Sequence, residues 1–280
     1  MQVHRTGGLG ISHVQNRTAK TLGKTSRALN KILERLATAQ RINRASDDAA
    51  GLSISEQLRT QVRGFKAASR NVSDAMSALN IADGAATEVE DMLQRQRELT
   101  LQAKNGTLTD DQRQALDVEF QQLQTEIDRV AESTEFNTQD LANGEGLSDG
   151  DAQIQAGPNE GDAVELPEMD MSVDALGLSG ASIATLSDAD DALGRIDSAL
   201  DTLHEQRSAV GASVNRFESA RNNLNVAEVN TQAAESVLRD QDMAAGLAEL
   251  TRNQLLSEGG VAAFSRFNEI SANHLLSLLG

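Results

Sequence analysis

His204-Glu205-Gln206-Arg207-Ser208 begins like the helical zinc-hydrolase motif. In that motif two histidines one turn apart hold the metal and the glutamate between them acts as base. Ser208 stands where the second histidine is needed, so the ligand pair is incomplete and His204 reads as a surface histidine on a helix. The other three histidines, His4, His13 and His274, lie far apart in sequence. Asp149-Gly150-Asp151 and Asp188-Ala189-Asp190-Asp191 are acidic clusters without the spacing of a calcium loop. They read as loop solvation and as the acid-favouring first turn of a helix. Gly7-Gly8-Leu9-Gly10 follows no strand and is followed by no Lys-Ser/Thr, so it is not a phosphate loop. There is no cysteine, hence no disulfide and no thiolate nucleophile or ligand. No catalytic constellation emerges, and the expectation is a non-enzyme with no cofactor and no metal.

Composition narrows the classes further. The 280 residues carry 25 Lys+Arg against 42 Asp+Glu, a net charge of −17, which argues against a nucleic-acid partner that needs a basic face. With no Trp, no Tyr and six Phe, a conventional aromatic-lined ligand pocket is disfavoured. No apolar run approaches the roughly 20 residues of a membrane span. The N-terminal residues show no apolar core of a signal peptide, so no membrane partner is expected. Sequence alone reads as cytoplasmic unless another export route applies.

The elements are easier to read. Both prolines, Pro158 and Pro167, fall in one stretch, and the proline-free flanks permit very long helices. Ile11, Val14, Thr18, Leu22, Thr25, Leu29, Ile32 and Leu36 recur at steps of three and four, one stripe of a helix. A second series runs from Leu58 through Val72 and Leu79 to Leu93 and stops at Asn105-Gly106. Thr109 with Gln112 reads as a capping box for a helix carrying Leu116, Phe120, Leu123, Ile127 and Val130. From about 140 to 180 glycines cluster. There Ala152-Ile154-Ala156 and Val164-Leu166 alternate around Gly157-Pro158-Asn159-Glu160-Gly161, a small β-hairpin. Periodicity resumes at Leu193 and runs to Leu224. A last arm carries Leu247, Leu250, Leu255, Val261, Phe264, Phe267, Leu275 and Leu278, with Gly259-Gly260 as its expected weak point. The predicted fold is mainly α: a long antiparallel helical coiled-coil rod with a small hairpin region. Arms 1–44 and 241–280 flank a middle domain 45–240, whose helices cover about 46–104, 110–132 and 188–238.

Charge is unevenly placed. Met1 to Ala45 holds nine cations and one anion, Glu34; Asp240 to Gly280 holds five anions and two cations. The basic arm is expected to pair with the acidic arm or with neighbouring copies. Each arm has one apolar stripe and few large side chains, so the arms are expected to order only on assembly.

The stretch Arg41-Ile42-Asn43-Arg44-Ala45-Ser46-Asp47-Asp48-Ala49-Ala50-Gly51-Leu52-Ser53 resembles bacterial flagellin, with Arg41, Asn43, Asp47, Asp48 and Gly51 as its motif. The resemblance continues through Gln61-Val62-Arg63-Gly64, Leu93-Gln94-Arg95-Gln96-Arg97-Glu98-Leu99, Glu126-Ile127-Asp128-Arg129-Val130, Asp174-Ala175-Leu176-Gly177-Leu178, Asn253-Gln254-Leu255-Leu256 and Leu275-Leu276-Ser277-Leu278-Leu279. It covers nearly the whole chain in order. The chain departs from the family pattern at Gly7-Gly8-Leu9-Gly10, at Ala37-Thr38-Ala39-Gln40 and at Arg266-Phe267-Asn268-Glu269-Ile270.

The resemblance implies a structural subunit that polymerises into the extracellular flagellar filament, a passive propeller. The two arms would form the innermost layer, packed through Leu22, Leu29, Ile32, Leu36, Leu247, Leu250, Phe264, Leu275 and Leu278. Outer variable domains would be absent, because the returning helix follows Leu178 within about ten residues. It further implies type III export without a cleaved signal peptide. The implied partners are other copies of the chain, an export chaperone, and cap and hook-associated proteins. Arg95, Leu99 and Glu119 match positions that animal innate receptors recognise, and the one-turn spacing of Arg95 and Leu99 predicts a shared face. The alternatives are a hook–filament junction protein of the same superfamily and a zinc-protease-bearing member, the latter disfavoured by Ser208.

Overall fold

The computed structural model describes residues 6–145, 147 and 152–279; of 6–12, 271 and 274–279 it describes the backbone alone. Its helices are α1 (Thr6–Thr38), α2 (Ala49–Ala103), α3 (Asp110–Ser133), α4 (Leu186–Arg239) and α5 (Met243–Leu279). Two short antiparallel hairpins lie between α3 and α4: β1 (Glu135–Phe136) with β2 (Gln139–Asp140), and β3 (Gln153–Gln155) with β4 (Ala163–Glu165). The chain folds as two compact units. One comprises the described residues up to Thr60 together with those from Thr231 on, the other Gln61–Asn230.

In the Gln61–Asn230 unit, α2 and α4 run antiparallel. Lys66 pairs with Glu228, Arg97 with Asp197 and Lys104 with Asp190 across them. Small residues are buried on both helices, Ala75, Ala78, Ala82 and Ala86 on α2 and Ala189, Ala192 and Ala199 on α4. Phe120, Ile127, Leu203 and Phe217 are the large side chains fully buried in the same core.

The α2–α3 turn is closed by side chains. Thr109 accepts from Gln112 N, and the Gln112 side chain accepts from Thr109 N, the predicted capping box. Arg113, 6% exposed, donates through Nε to Ala103 O at 2.8 Å and through Nη2 to Asn105 O. It thereby satisfies carbonyls that the end of α2 would otherwise orphan.

The β3–β4 hairpin pairs Ile154 with Val164, as the alternation predicts. The β1–β2 turn was not legible: Asn137 and Thr138 sit at φ 52° and 63°, a left-handed pair that Asn favours and a β-branched Thr does not. Residues 173–183 then run antiparallel to α3, stitched by a polar stripe on that helix. Asp117 accepts from Ile183 N, Gln121 donates to Ala181 O, Gln124 donates to Leu178 O, and Asp128 accepts from Val173 N.

In the other unit α1 and α5 pair antiparallel along two heptad stripes. On α1 Gln15, Thr18, Leu22, Thr25, Leu29, Ile32 and Leu36 form the stripe and are all less than fully exposed, as are Ala28, Glu34 and Arg35 beside it. On α5 the stripe is formed by Gly246, Leu250, Asn253, Ser257, Gly260, Phe264 and Phe267. Two expectations are corrected here. Val14 is 40% exposed and Gln15 takes its seam position. Gly259-Gly260 is not a break: α5 is continuous through it, and a β-carbon on Gly260 would stand 3.3 Å from Leu22 Cδ1. The glycine is the hole that receives the leucine.

Candidate functional site

Three features of the structure carry the predicted site residues. The first is the arm seam. Leu22, Leu29, Ile32 and Leu36 line it from α1, and Leu250 and Phe264 from α5, as the periodicity predicts. Leu247 does not: it is 54% exposed, one residue past the seam position that Gly246 occupies against Leu36. The side chains of Leu275 and Leu278 lie outside the described residues. Among the described large side chains of the seam only Ile32 is buried; the others are partly exposed. The seam is also diluted by Gln15, Thr18, Thr25, Asn253 and Ser257, and Asn253 Nδ2 is buried in the chain without a hydrogen-bond acceptor.

Outside the seam the arms keep apolar surface. Leu33 on α1 and Leu247, Leu255, Leu256, Val261 and Ile270 on α5 are 44–64% exposed. At about 100° per residue these α5 side chains point to several sides of the helix, not to one. A helix apolar on several sides is built to be covered on several sides, and α1 covers one.

The second feature is the turn that carries the sequence motif. Asp48 caps α2, its Oδ1 accepting from Gly51 N at 2.9 Å. A β-carbon on Gly51 would stand 2.5 Å from Asp48 Oδ2 and 2.9 Å from Ile42 Cδ1, so the cap and the buried Ile42 both require glycine there. Asp47 Oδ2 accepts from the N–H groups of Asn43 and Arg44, and Oδ1 meets Lys31 Nζ at 2.6 Å. The Lys31 ammonium, with those two backbone donors, holds the Asp47 carboxyl below its ordinary range. Asn43 Nδ2 donates to Thr38 Oγ1 and Gln40 O, around Ala39 in the left-handed region at φ 55°. Arg41 joins this turn to the end of α4: its N donates to Arg239 O at 2.7 Å and its Nη2 to Leu238 O at 2.8 Å. Arg239 pairs in turn with Glu56 at 2.9 Å. Arg41, Asn43, Asp47, Asp48 and Gly51 are therefore one hydrogen-bonded joint, in which both chain crossings of this unit are tied together. Their five positions were legible in the sequence; the partners at Leu238, Arg239 and Glu56 were not.

The third feature is the Arg95 surface. Arg95 donates to Glu119 of α3 through Nε and Nη2 at 2.9 and 2.8 Å and to Glu98 at 3.0 Å. Both carboxylates raise its pKa, Glu119 more than Glu98. Leu99 does not share this surface. It is 1% exposed in the core beneath α3, because four residues advance a helix by slightly more than one turn and carry it under the neighbouring helix.

Of the two partners expected for the basic arm, the acidic arm of the same chain is not one. Among the described residues no ion pair joins α1 to α5; the arm's ion pairs are Lys31–Asp47 and Arg44–Glu34. His204 faces Glu90 Oε1 at 3.3 Å beside Arg207. Among the described residues no cluster of three or more His, Asp or Glu could hold a metal ion, and no helix is long and apolar enough to cross a membrane.

Residues 11–146 match the bacterial flagellin N-terminal helical region and residues 193–279 the bacterial flagellin C-terminal helical region. The chain belongs to the bacterial flagellin family. A flagellin of Halalkalibacterium halodurans is 40% identical over 273 residues, covering 96% of this chain and 93% of that one. A flagellar filament 31.3 kDa core protein of Treponema maltophilum is 36% identical over 273 residues, covering 93% and 95%. A solved structure from Vibrio parahaemolyticus, described as a flagellar hook-associated protein, has a TM-score of 0.53 at 16% identity. It covers 69% of this chain and 99% of that chain and shares the fold alone. The two flagellin models take in the arm seam, the joint at 41–51 and the Arg95 helix.

Proposed function

We propose that this flagellin is a structural subunit that polymerises into the flagellar filament, with its arms forming the innermost contacts. The observation that carries this reading is the exposed apolar surface of α5, which one partner helix leaves uncovered on several sides. Each additional copy that covers it contributes on the order of 25 cal/mol per Å² of apolar area removed from water. That gain offsets the entropy of ordering the arms, roughly 1–2 kcal/mol per residue for the backbone, only when several neighbours contribute. The work of the subunit is mechanical: it transmits torque and catalyses nothing. We further infer export in an unfolded state through the type III route without a cleaved leader, an extracellular location, and handover among a chaperone, a cap and hook-associated proteins. The absence of cysteine suits that route. For host receptors, the available surface is the Arg95–Glu119 pair and Glu98.

The test is seeded polymerisation followed by electron microscopy. The full chain forms filaments, while chains lacking residues 1–40 or 241–280 remain soluble and unpolymerised. Filaments from either truncated chain would contradict this function.

A further inference from the structure

We propose that a cationic ridge on α1, formed by Arg17, Lys20, Lys24 and Arg27, docks against the acidic Gln61–Asn230 unit of a second copy of this chain. The proposal rests on the filament reading and names which surface meets which. At about 100° per residue, the four side chains fall within an arc of about 80°, on the side of α1 turned away from its seam positions. All four are exposed, and none makes an ion pair with another described residue. Arg27 Nε donates only to Gly23 O of its own helix. Lys31 continues the ridge by one turn and is engaged by Asp47.

Each neighbouring pair in the ridge stands at i,i+3 or i,i+4, where like charges destabilise an isolated helix. Among the described residues nothing relieves this: the acidic arm packs on another side of α1 and forms no ion pair with the ridge. The complement lies elsewhere in the sequence. Residues 61–230 hold 12 Lys+Arg against 32 Asp+Glu, a net charge of −20, while the other residues hold a net charge of +3. Within that unit Glu88, Asp91, Asp201 and Glu205 are exposed and make no ion pair among the described residues. Their spacings on α2 and α4 again place like charges three and four residues apart. Two self-repelling surfaces of opposite sign on one polypeptide neutralise each other when copies pack side by side. Such complementarity fixes which surfaces meet and suppresses wrong packings. An anionic membrane or a nucleic acid is the competing occupant. It is disfavoured because the ridge belongs to a chain of net charge −17, which such polyanions repel.

The experiment uses the full chain. Arg17→Gln, Lys20→Gln, Lys24→Gln and Arg27→Gln are combined, and the critical concentration of seeded polymerisation is measured by sedimentation. In about 50 mM NaCl it should rise at least about tenfold over the natural chain, and the gap should narrow in about 500 mM NaCl, where the Debye length is a few ångströms. The charge-preserving variant Arg17→Lys/Lys20→Arg/Lys24→Arg/Arg27→Lys should polymerise like the natural chain. Independently of any variant, carbodiimide treatment of filaments grown from mixed isotope-labelled and unlabelled natural chains should join Lys20 or Lys24 to an acid of residues 61–230 in another copy. An unchanged critical concentration in the Gln variant would overturn the proposal. So would filaments in which Lys20 and Lys24 form no such inter-copy links, or a ridge that binds phosphatidylserine vesicles while leaving polymerisation unaffected. A natural chain that does not polymerise at all contradicts the filament reading itself, a separate outcome.

Discussion

Leu36 and Gly246 face each other across the α1–α5 seam so closely that a β-carbon on Gly246 would stand 2.8 Å from Leu36 Cδ2. The obstructing atom is the end of a flexible side chain, so a small addition can be absorbed and a large one cannot. Gly246→Ala should leave assembly near normal, since the gain in helix propensity of about 1 kcal/mol offsets the crowding. Gly246→Leu should destabilise the arm pair by about 1–3 kcal/mol and raise the critical concentration of polymerisation. Adding Leu36→Ala to Gly246→Leu should restore much of it, which sedimentation of the three variants checks.

Arg113 closes the end of α2 while almost wholly buried, with two backbone carbonyls and Asp110 as acceptors. Arg113→Ala leaves those carbonyls unmet and should cost the Gln61–Asn230 unit about 2–4 kcal/mol. Thermal unfolding followed by circular dichroism checks this.

Leu99 and Arg95 should separate cleanly. Leu99→Ala opens a core cavity and should cost about 2–5 kcal/mol, whereas Arg95→Ala removes only solvent-screened surface ion pairs and should leave unfolding nearly unchanged. Denaturant unfolding of both variants measures the difference. Any receptor-binding loss in Leu99→Ala then reports a disturbed core, and only a loss in Arg95→Ala or Glu119→Ala reports a contact.

Asp47 makes the joint acid-sensitive. Its folded pKa is depressed by Lys31 and by the Asn43 and Arg44 amides. The stabilisation is therefore fully present above the unfolded carboxylate pKa and is lost as pH falls through the lower, folded value. In hydrogen exchange, protection of the Asn43 and Arg44 amides should be greater than in Asp47→Asn above about pH 5. The two should converge as the carboxyl protonates. A difference that persisted in strong acid would contradict the assigned role.

Periodicity made the helices legible because a stripe of apolar side chains is a local pattern. Thr18, Leu22, Thr25, Leu29, Ile32 and Leu36 all fall on the observed seam. It misplaced Val14 and Leu247 because a leucine or valine one residue off a seam looks the same in sequence as one on it. Gly260 was misread for a related reason: alone it lowers helix propensity, and only the facing Leu22 reveals it as a socket. The segment 173–183 and the joint partners Leu238 and Arg239 were illegible because their bonds engage backbone groups across long sequence separations. Backbone donors and acceptors carry no residue-type signature.

In the proposed filament the arms are held by neighbouring copies more than by each other. Hydrogen exchange read by mass spectrometry, on the dilute full chain and on sedimented polymer, tests it most directly. The amides of residues 13–36 and 246–267 should exchange rapidly in the dilute chain, while those of 68–103 and 189–224 exchange slowly; in the polymer both sets should be slow. Arm amides already as protected in the dilute chain as those of the core would contradict the claim.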